Sequence, residues 1–282
     1  MTLRAERTSK SDAVVRSLGA GLLGTRLDTS QAFPRHMHDS YGIGRLFSGA
    51  QRSWSAAGWV EAGPGDVLMV NPCEVHDGAP LGGGARRWSM LYIEPALVLQ
   101  AAAEVLPPNR VPPMWRPVAR DARLAMAFER WYVRLDANAG RLSCEEAQTA
   151  LLARLLLAQA GLAAPRLANP ALCRARQRLD DDPATDPGLE ALATDAGLSR
   201  FQFLRAFAST YGITPHAYLV QRRLMRARAL LTSGSTIADA ALAAGFSDQS
   251  HLSRTFKRCW GHSPALHLGA ARRTPGPTTL TL

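Results

Sequence analysis

One stretch near the C-terminus is written twice, and that repeat constrains the fold more than any other feature of the chain. Leu189–Gly197 (LEALATDAG) matches Ile237–Gly245 (IADAALAAG) at an offset of 48. Past the turn the offset becomes 49, pairing Phe203-Leu204-Arg205-Ala206-Phe207 with Leu252-Ser253-Arg254-Thr255-Phe256, then Gly212 with Gly261 and Pro215 with Pro264. One inserted residue in the second turn accounts for the change. Ala193 and Ala241 are small where a second helix must cross closely. Gly197 and Gly245 come where the first helix ends and the chain must turn sharply through left-handed backbone. Ser199 with Gln202 three residues on is a capping-box pattern, and Ser247 or Asp248 can cap the equivalent helix of the second copy. Two helices joined by a tight Gly-containing turn make a helix-turn-helix, and this chain carries two.

Each second helix has two faces. Phe203 and Phe207, and in the other copy Leu252 and Phe256, are four apart and point inward. Phe201, Leu204, Arg205 and Ala208 share a different face, behind Arg200 at the helix start. Ser250, Ser253, Arg254 and Lys257 repeat that outward spacing, with Gln249 at the helix start. Outward Arg and Gln near an N-terminal half suit base reading in a major groove, because Arg bonds bidentately to guanine and Gln to adenine; Phe201 and Leu204 suit thymine methyls. Thr214-Pro215 starts a helix that Arg223, Leu224, Ala227, Leu230 and Leu231 continue and Gly234 ends. A helix of that length could hold two readers roughly 34 Å apart, about one duplex turn.

Charge agrees with a polyanionic partner. From Arg166 onward 15 Arg and Lys stand against 8 Asp and Glu, whereas the first 165 residues carry 18 against 15. A basic domain gains affinity by releasing counterions from phosphates. Almost all this charge is Arg, with Lys10 and Lys257 the lysines, so charge by itself does not decide for nucleic acid. No run approaches the ~18 apolar residues of a membrane helix, and Met1–Lys10 has no apolar core behind it, so neither a membrane partner nor a secretion leader is expected. Cys73, Cys144, Cys173 and Cys259 are scattered, which suits free thiols in a reduced, cytoplasmic protein.

The first part of the chain reads differently. Ala32–His38, Tyr41–Phe47, Asp66–Asn71 and Arg87–Ile93 are short strand-like stretches between Gly- and Pro-rich turns, as in a small antiparallel barrel or sandwich. Beyond Leu106-Pro107-Pro108 the composition turns helical, over Arg120–Leu135 and Ser143–Gly161. In the latter, Ala147, Leu151, Leu155 and Ala158 recur at helical spacing, widened by Leu152 and Leu156, either to pack on the barrel or to form a dimer helix. The expected organisation is an arm (1–20), a strand-built domain (21–106), a helical linker or dimerisation region (107–168), a double helix-turn-helix domain (169–274) and a tail (275–282).

With these residues in hand, the C-terminal third resembles the DNA-binding domain of the AraC/XylS family of bacterial regulators. The resemblance rests on Gly245-Phe246-Ser247-Asp248-Gln249-Ser250-His251-Leu252-Ser253-Arg254-Thr255-Phe256-Lys257-Arg258, then Gly261 and Ser263-Pro264. It implies base contacts at Phe201, Leu204 and Arg205, and at Gln249, Ser250, Ser253 and Arg254. Leu204 departs from the polar residue often found at its position. The segment Phe33-Pro34-Arg35-His36-Met37-His38-Asp39-Ser40-Tyr41, with Gly63–Pro72 and then Glu74-Val75-His76, resembles the cupin-like sensor domain of such regulators.

His36 and His38 alternate along a strand and should share a face. Three histidines in a barrel could bind Zn, Fe or Mn, line a polar effector pocket, or be structural. The carboxylate that metal cupins carry after the His-x-His pair is not evident; Glu61 or Glu74 is a substitute that nothing in the spacing requires. The pocket candidates are His36, His38, Tyr41 and His76, then Trp88 and Tyr92; Trp54 and Trp59 fit core or rim equally. The reading is therefore an α+β chain: a cupin-like antiparallel barrel, a helical linker and an all-α domain with two helix-turn-helix units. Its expected partners are double-stranded DNA, a small-molecule effector, a second copy of itself and RNA polymerase, with no catalytic residues, metal or cofactor. The competing readings are a metal-dependent cupin enzyme with a DNA-binding appendage, and an effector-independent regulator with a structural barrel.

Overall fold

The computed structural model describes residues 12–17, 21–106, 115–137, 139–159 and 169–272. The expected tail and most of the Ala163–Asn169 loop lie outside them.

Among the described residues, ten strands build the N-terminal part: β1 (Asp12–Ser17), β2 (Leu22–Thr29), β3 (Phe33–His36), β4 (Tyr41–Ser48), β5 (Gln51–Ser55), β6 (Gly58–Ala62), β7 (Val67–Val70), β8 (His76–Pro80), β9 (Arg86–Ile93) and β10 (Val118–Ala119). They form a six-stranded sheet in the order β1-β2-β9-β4-β7-β10 and a four-stranded sheet in the order β3-β8-β5-β6. Every pairing given for them is antiparallel.

Alternation along the strands sorts the side chains of the larger sheet. Ile43, Val67, Met69, Leu91 and Ile93 point to its outer face, where α1 (Pro95–Val105), α2 (Ala122–Asp136) and α3 (Arg141–Gln159) cover them with Val98, Phe128, Trp131, Leu151 and Leu155. Leu27, Leu46, Leu68, Trp88 and Met90 point the other way, between the sheets. Ala147, Leu151, Leu152, Leu155 and Leu156 are all buried, so the stripe on α3 packs on the barrel, while Ala158 is exposed. Each such leucine contributes about 1.5–3 kcal/mol through burial.

Three expectations are corrected. A helix, α1, precedes Leu106, because Ala-rich Pro95–Val105 starts on a proline at its first turn. The stretch expected as an arm contains β1, which pairs with β2 as an edge strand. His38 lies past the end of β3 rather than on a strand.

The C-terminal part is helical: α4 (Pro170–Asp181), α5 (Leu189–Asp195), α6 (Arg200–Tyr211), α7 (Pro215–Thr232), α8 (Ile237–Ala243), α9 (Gln249–Trp260) and α10 (Pro264–Arg272). Two small cores hold it. Phe203 and Phe207 of α6 pack with Leu179, Leu192 and Tyr218, and Leu252 and Phe256 of α9 pack with Leu224, Leu231 and Ala241. Met37 and Val75, from the strand domain, belong to the first of these cores, so the two halves of the chain share buried apolar surface.

Candidate nucleic-acid interface and ligand pocket

The local devices read from the repeat are all present. Ser199 Oγ accepts from the Gln202 N–H (3.3 Å) and Gln202 Oε1 accepts from the Ser199 N–H (3.0 Å), closing the capping box at the start of α6. Asp248 caps α9, accepting from the His251 N–H at 2.7 Å, and that bond holds its carboxyl below the usual carboxylate range. Gly197 and Gly245 have φ of +67° and +88°, the left-handed backbone that the tight turn needs.

The two faces of each reading helix separate as expected. Phe203, Phe207, Leu252 and Phe256 are fully buried. Arg200, Arg205, Gln249, Ser250, Arg254 and Lys257 are exposed, Ser253 and Leu204 are half-buried, and Phe201 is 68% exposed with the Arg205 guanidinium 5.7 Å from its ring. Other arginines of this part are engaged within it: Arg222 pairs with Asp180, Arg178 with Asp195, and Arg223 donates to the Pro183 and Ala184 carbonyls. α7, 18 residues long, spans about 27 Å between the two units.

A cavity of about 100 Å³ lies between the two sheets. Its walls include His36, His38, His76, Trp88 and Tyr92, as the sequence indicated. Tyr41 is not among them. It shares a strand face with Ile43 and packs on Trp115 at 4.5 Å on the helix-covered side, because Asp39 and Ser40 bend the chain and the alternation of His36 and His38 does not carry across to β4. Trp54 lines the cavity, with the Arg35 guanidinium 3.9 Å from its ring, whereas Trp59 is 56% exposed. Glu61 is exposed, and Glu74 turns its carboxylate to the Asn71 amide at 2.6 Å.

The histidines converge. Ring centroids of His36 and His76 are 4.3 Å apart, and those of His36 and His38 are 5.0 Å apart. One ring nitrogen from each of the three falls within 4.8 Å of the others. Burial drives the pKa of each below the ordinary histidine value, and for His36 and His38 the neighbouring imidazoles push it further. All three are therefore neutral at pH 7.

Sequence reasoning missed Arg86 in the same cavity. It is 1% exposed; Nη2 donates to the Gly78 carbonyl at 3.0 Å, while Nε and Nη1 find no hydrogen-bond partner among the described residues. The guanidinium sits 4.8 Å from the Trp88 ring and 5.7 Å from that of Phe33. Burial lowers its pKa to about 10, which still leaves it charged at pH 7.

Comparison with known proteins agrees with this geometry at both ends. A model of the AraC-like ligand binding domain matches residues 20–156, and a helix-turn-helix domain model matches residues 192–267. The chain belongs to the AraC family of transcription regulators. This AraC-type chain is 27% identical over 225 residues to the uncharacterized helix-turn-helix-type regulator YbfI of Bacillus subtilis, covering 79% of this chain and 82% of that one. It is 36% identical over 78 residues to the virulence regulon transcriptional activator VirF of Yersinia enterocolitica, a match confined to 27% of this chain and 29% of that one. Its fold is similar to that of ToxT from Vibrio cholerae, with a TM-score of 0.57 at 11% identity over 91% of this chain and all of that one. It is thus a DNA-binding transcription regulator with an N-terminal ligand-binding domain, and its relatives are regulators, not enzymes. Among the described residues no helix is long and apolar enough to cross a membrane.

In this AraC-type regulator the two functional regions touch. Cys259 and Trp260, the last residues of α9, are part of the cavity wall. The Trp260 ring lies 5.7 Å from that of His38. Arg35 Nη1 donates to the Gly212 carbonyl at the end of α6 (2.5 Å), and Arg228 of α7 pairs with Asp39. Gly212 and Gly261, the residues after the two reading helices, both have positive φ and abut Trp54 and Phe33 of the strand domain.

Proposed function

We propose that a small organic acid bound between the two sheets sets how α9 is presented to DNA, with Arg200, Phe201, Leu204 and Arg205 of α6 and Gln249, Ser250, Ser253 and Arg254 of α9 as the reading residues and Lys257 of α9 on a phosphate. The observation that carries the proposal is that one helix bears both the second reading face and, at its last two residues, a wall of the ligand cavity. Arg86 argues for the acid. A buried guanidinium with two unsatisfied nitrogens costs several kcal/mol, which a carboxylate in a bidentate pair would offset, while the aromatic walls suit an apolar body. The ToxT fold has been solved with an unsaturated fatty acid and with a naphthalenyl butenoic acid, both carboxylic acids.

Size supports the coupling. A cavity of ~150 Å³ holds a benzene, so a ligand of more than one ring that fills this one presses on its walls, and Trp260 is a wall that belongs to the reader. A ligand shifts the regulator only through a difference in its affinity for two arrangements, and contact with Trp260 supplies one. A homodimer fits the same reading, because Val133 and Leu157 are each 62% exposed on α2 and α3 and a second copy could cover them.

The test is a panel of short alkyl and aryl carboxylic acids screened by thermal shift, followed by fluorescence anisotropy on operator DNA. The proposal expects acids that stabilise the protein, fail to stabilise R86M, and change operator affinity. Acids that bind without altering DNA affinity would leave the barrel a structural element and overturn it.

A further inference from the structure

We propose that His36, His38 and His76 form a three-nitrogen site for a divalent transition ion of the zinc class, open on the side of the ligand cavity. The inference rests on the cavity being the ligand site, and it runs against the sequence expectation of no metal.

The geometry supplies most of what such a site needs. Three imidazole nitrogens already lie within 4.8 Å of one another. A tetrahedral ion with His–metal bonds of about 2.0–2.1 Å needs them roughly 3.3 Å apart, which small side-chain rotations supply. Two of the rings are already oriented. The Nδ1 atoms of His36 and His76 face the backbone carbonyls of Pro34 (2.7 Å) and Glu74 (2.9 Å). A carbonyl can only accept, so Nδ1 carries the proton and Nε2 keeps a lone pair, the tautomer a metal ligand requires.

The donor set has no carboxylate: Glu74 is spent on Asn71, and Asp39 on Arg228. Nitrogen-only ligation suits Zn²⁺, Co²⁺, Ni²⁺ or Cu²⁺ and disfavours the oxygen-seeking Mg²⁺ and Ca²⁺. With three protein ligands, the fourth position is left to a ligand in the cavity that all three histidines line. The carboxylate that Arg86 favours would fit that position. Because the His38 ring lies against that of Trp260, 5.7 Å between centroids, an ion that fixes it also restrains the end of α9.

The experiment uses untagged full-length protein stripped with chelator and titrated separately with Zn²⁺ and Co²⁺. The expected result is one equivalent bound, a Co²⁺ visible spectrum of a low-symmetry nitrogen site, and at least tenfold weaker binding in H36A and in H76A, with C73S unchanged. X-ray absorption on the Zn²⁺-loaded wild type counts imidazole ligands without any variant and expects three. No binding at micromolar metal, sulfur ligation, or affinity untouched by both histidine substitutions would overturn the site. Repeating the carboxylic-acid thermal shifts on chelator-stripped protein separates the two ideas: acids that still bind there keep the pocket reading even if the metal fails.

Discussion

Leu252 and Arg254 are two residues apart on α9, yet their removal should fail in opposite ways. Leu252 is fully buried against Leu224, Leu231 and Ala241, so L252A removes most of a side chain from a packed core and should cost about 2–5 kcal/mol of stability. Arg254 is exposed, and R254A should leave stability within about 0.5 kcal/mol of the wild type. Its cost falls on DNA instead: losing a bidentate base contact is worth about 1–3 kcal/mol. At ~1.4 kcal/mol per decade, that is roughly a 5- to 150-fold weaker operator complex, with little change on random DNA. K257A, by contrast, should remove a phosphate contact. It should weaken both complexes alike and lower the salt slope by about one. Urea denaturation and fluorescence anisotropy over a salt series read both quantities on the same preparations. Undiminished operator affinity in R254A, or a stability loss as large as that of L252A, would refute the assignment of the two faces.

Other consequences are as direct. His262 and His267 stack at 5.8 Å beside Arg228, Asp39 and His38, and burial lowers the pKa of each to about 4. The folded state therefore binds fewer protons than the unfolded chain below pH 6.5. Stability is complete above that pH and falls on acidification toward pH 4, by at most roughly 3 kcal/mol per group; denaturation midpoints at a series of pH values should show the loss, reduced in H262Q and H267Q. At Gly212, φ is +79° and an added Cβ would lie 2.3 Å from Trp54, so G212A should cost at least ~1 kcal/mol, part of it restored by W54A in a double-mutant cycle. L155A, in the core of α3 and the large sheet, should lower stability by about 2–5 kcal/mol while the protein that remains folded binds operator DNA as before.

The DNA-reading end was legible because its signals are local. A repeated nine-residue pattern, two turn glycines, a capping box and i,i+4 apolar pairs each act within one or two helical turns, and the structure realises them where the sequence puts them. The cavity was legible only in part. Trp88 and Tyr92 were found from the strand, and Arg86 lies on the same side of it, two residues before Trp88, so alternation contained the signal. Its charge argued for the surface, and a buried arginine is rare enough to be passed over. Tyr41 failed for the converse reason: parity is a property of one uninterrupted strand, and the chain bends between His38 and Tyr41. Trp260 reaches the barrel from a helix that the sequence assigned wholly to DNA, and no local pattern announces a contact between residues more than two hundred positions apart.

The central claim is that both helix-turn-helix units read DNA from one face. Hydroxyl-radical footprinting of the full-length protein on DNA upstream of its own gene, near physiological salt, tests it most directly. The account predicts two protected patches about one helical turn apart on one side of the duplex, one weakened by R205A and the other by R254A. Protection that is uniform along the fragment, vanishes with added salt and ignores both substitutions would contradict it.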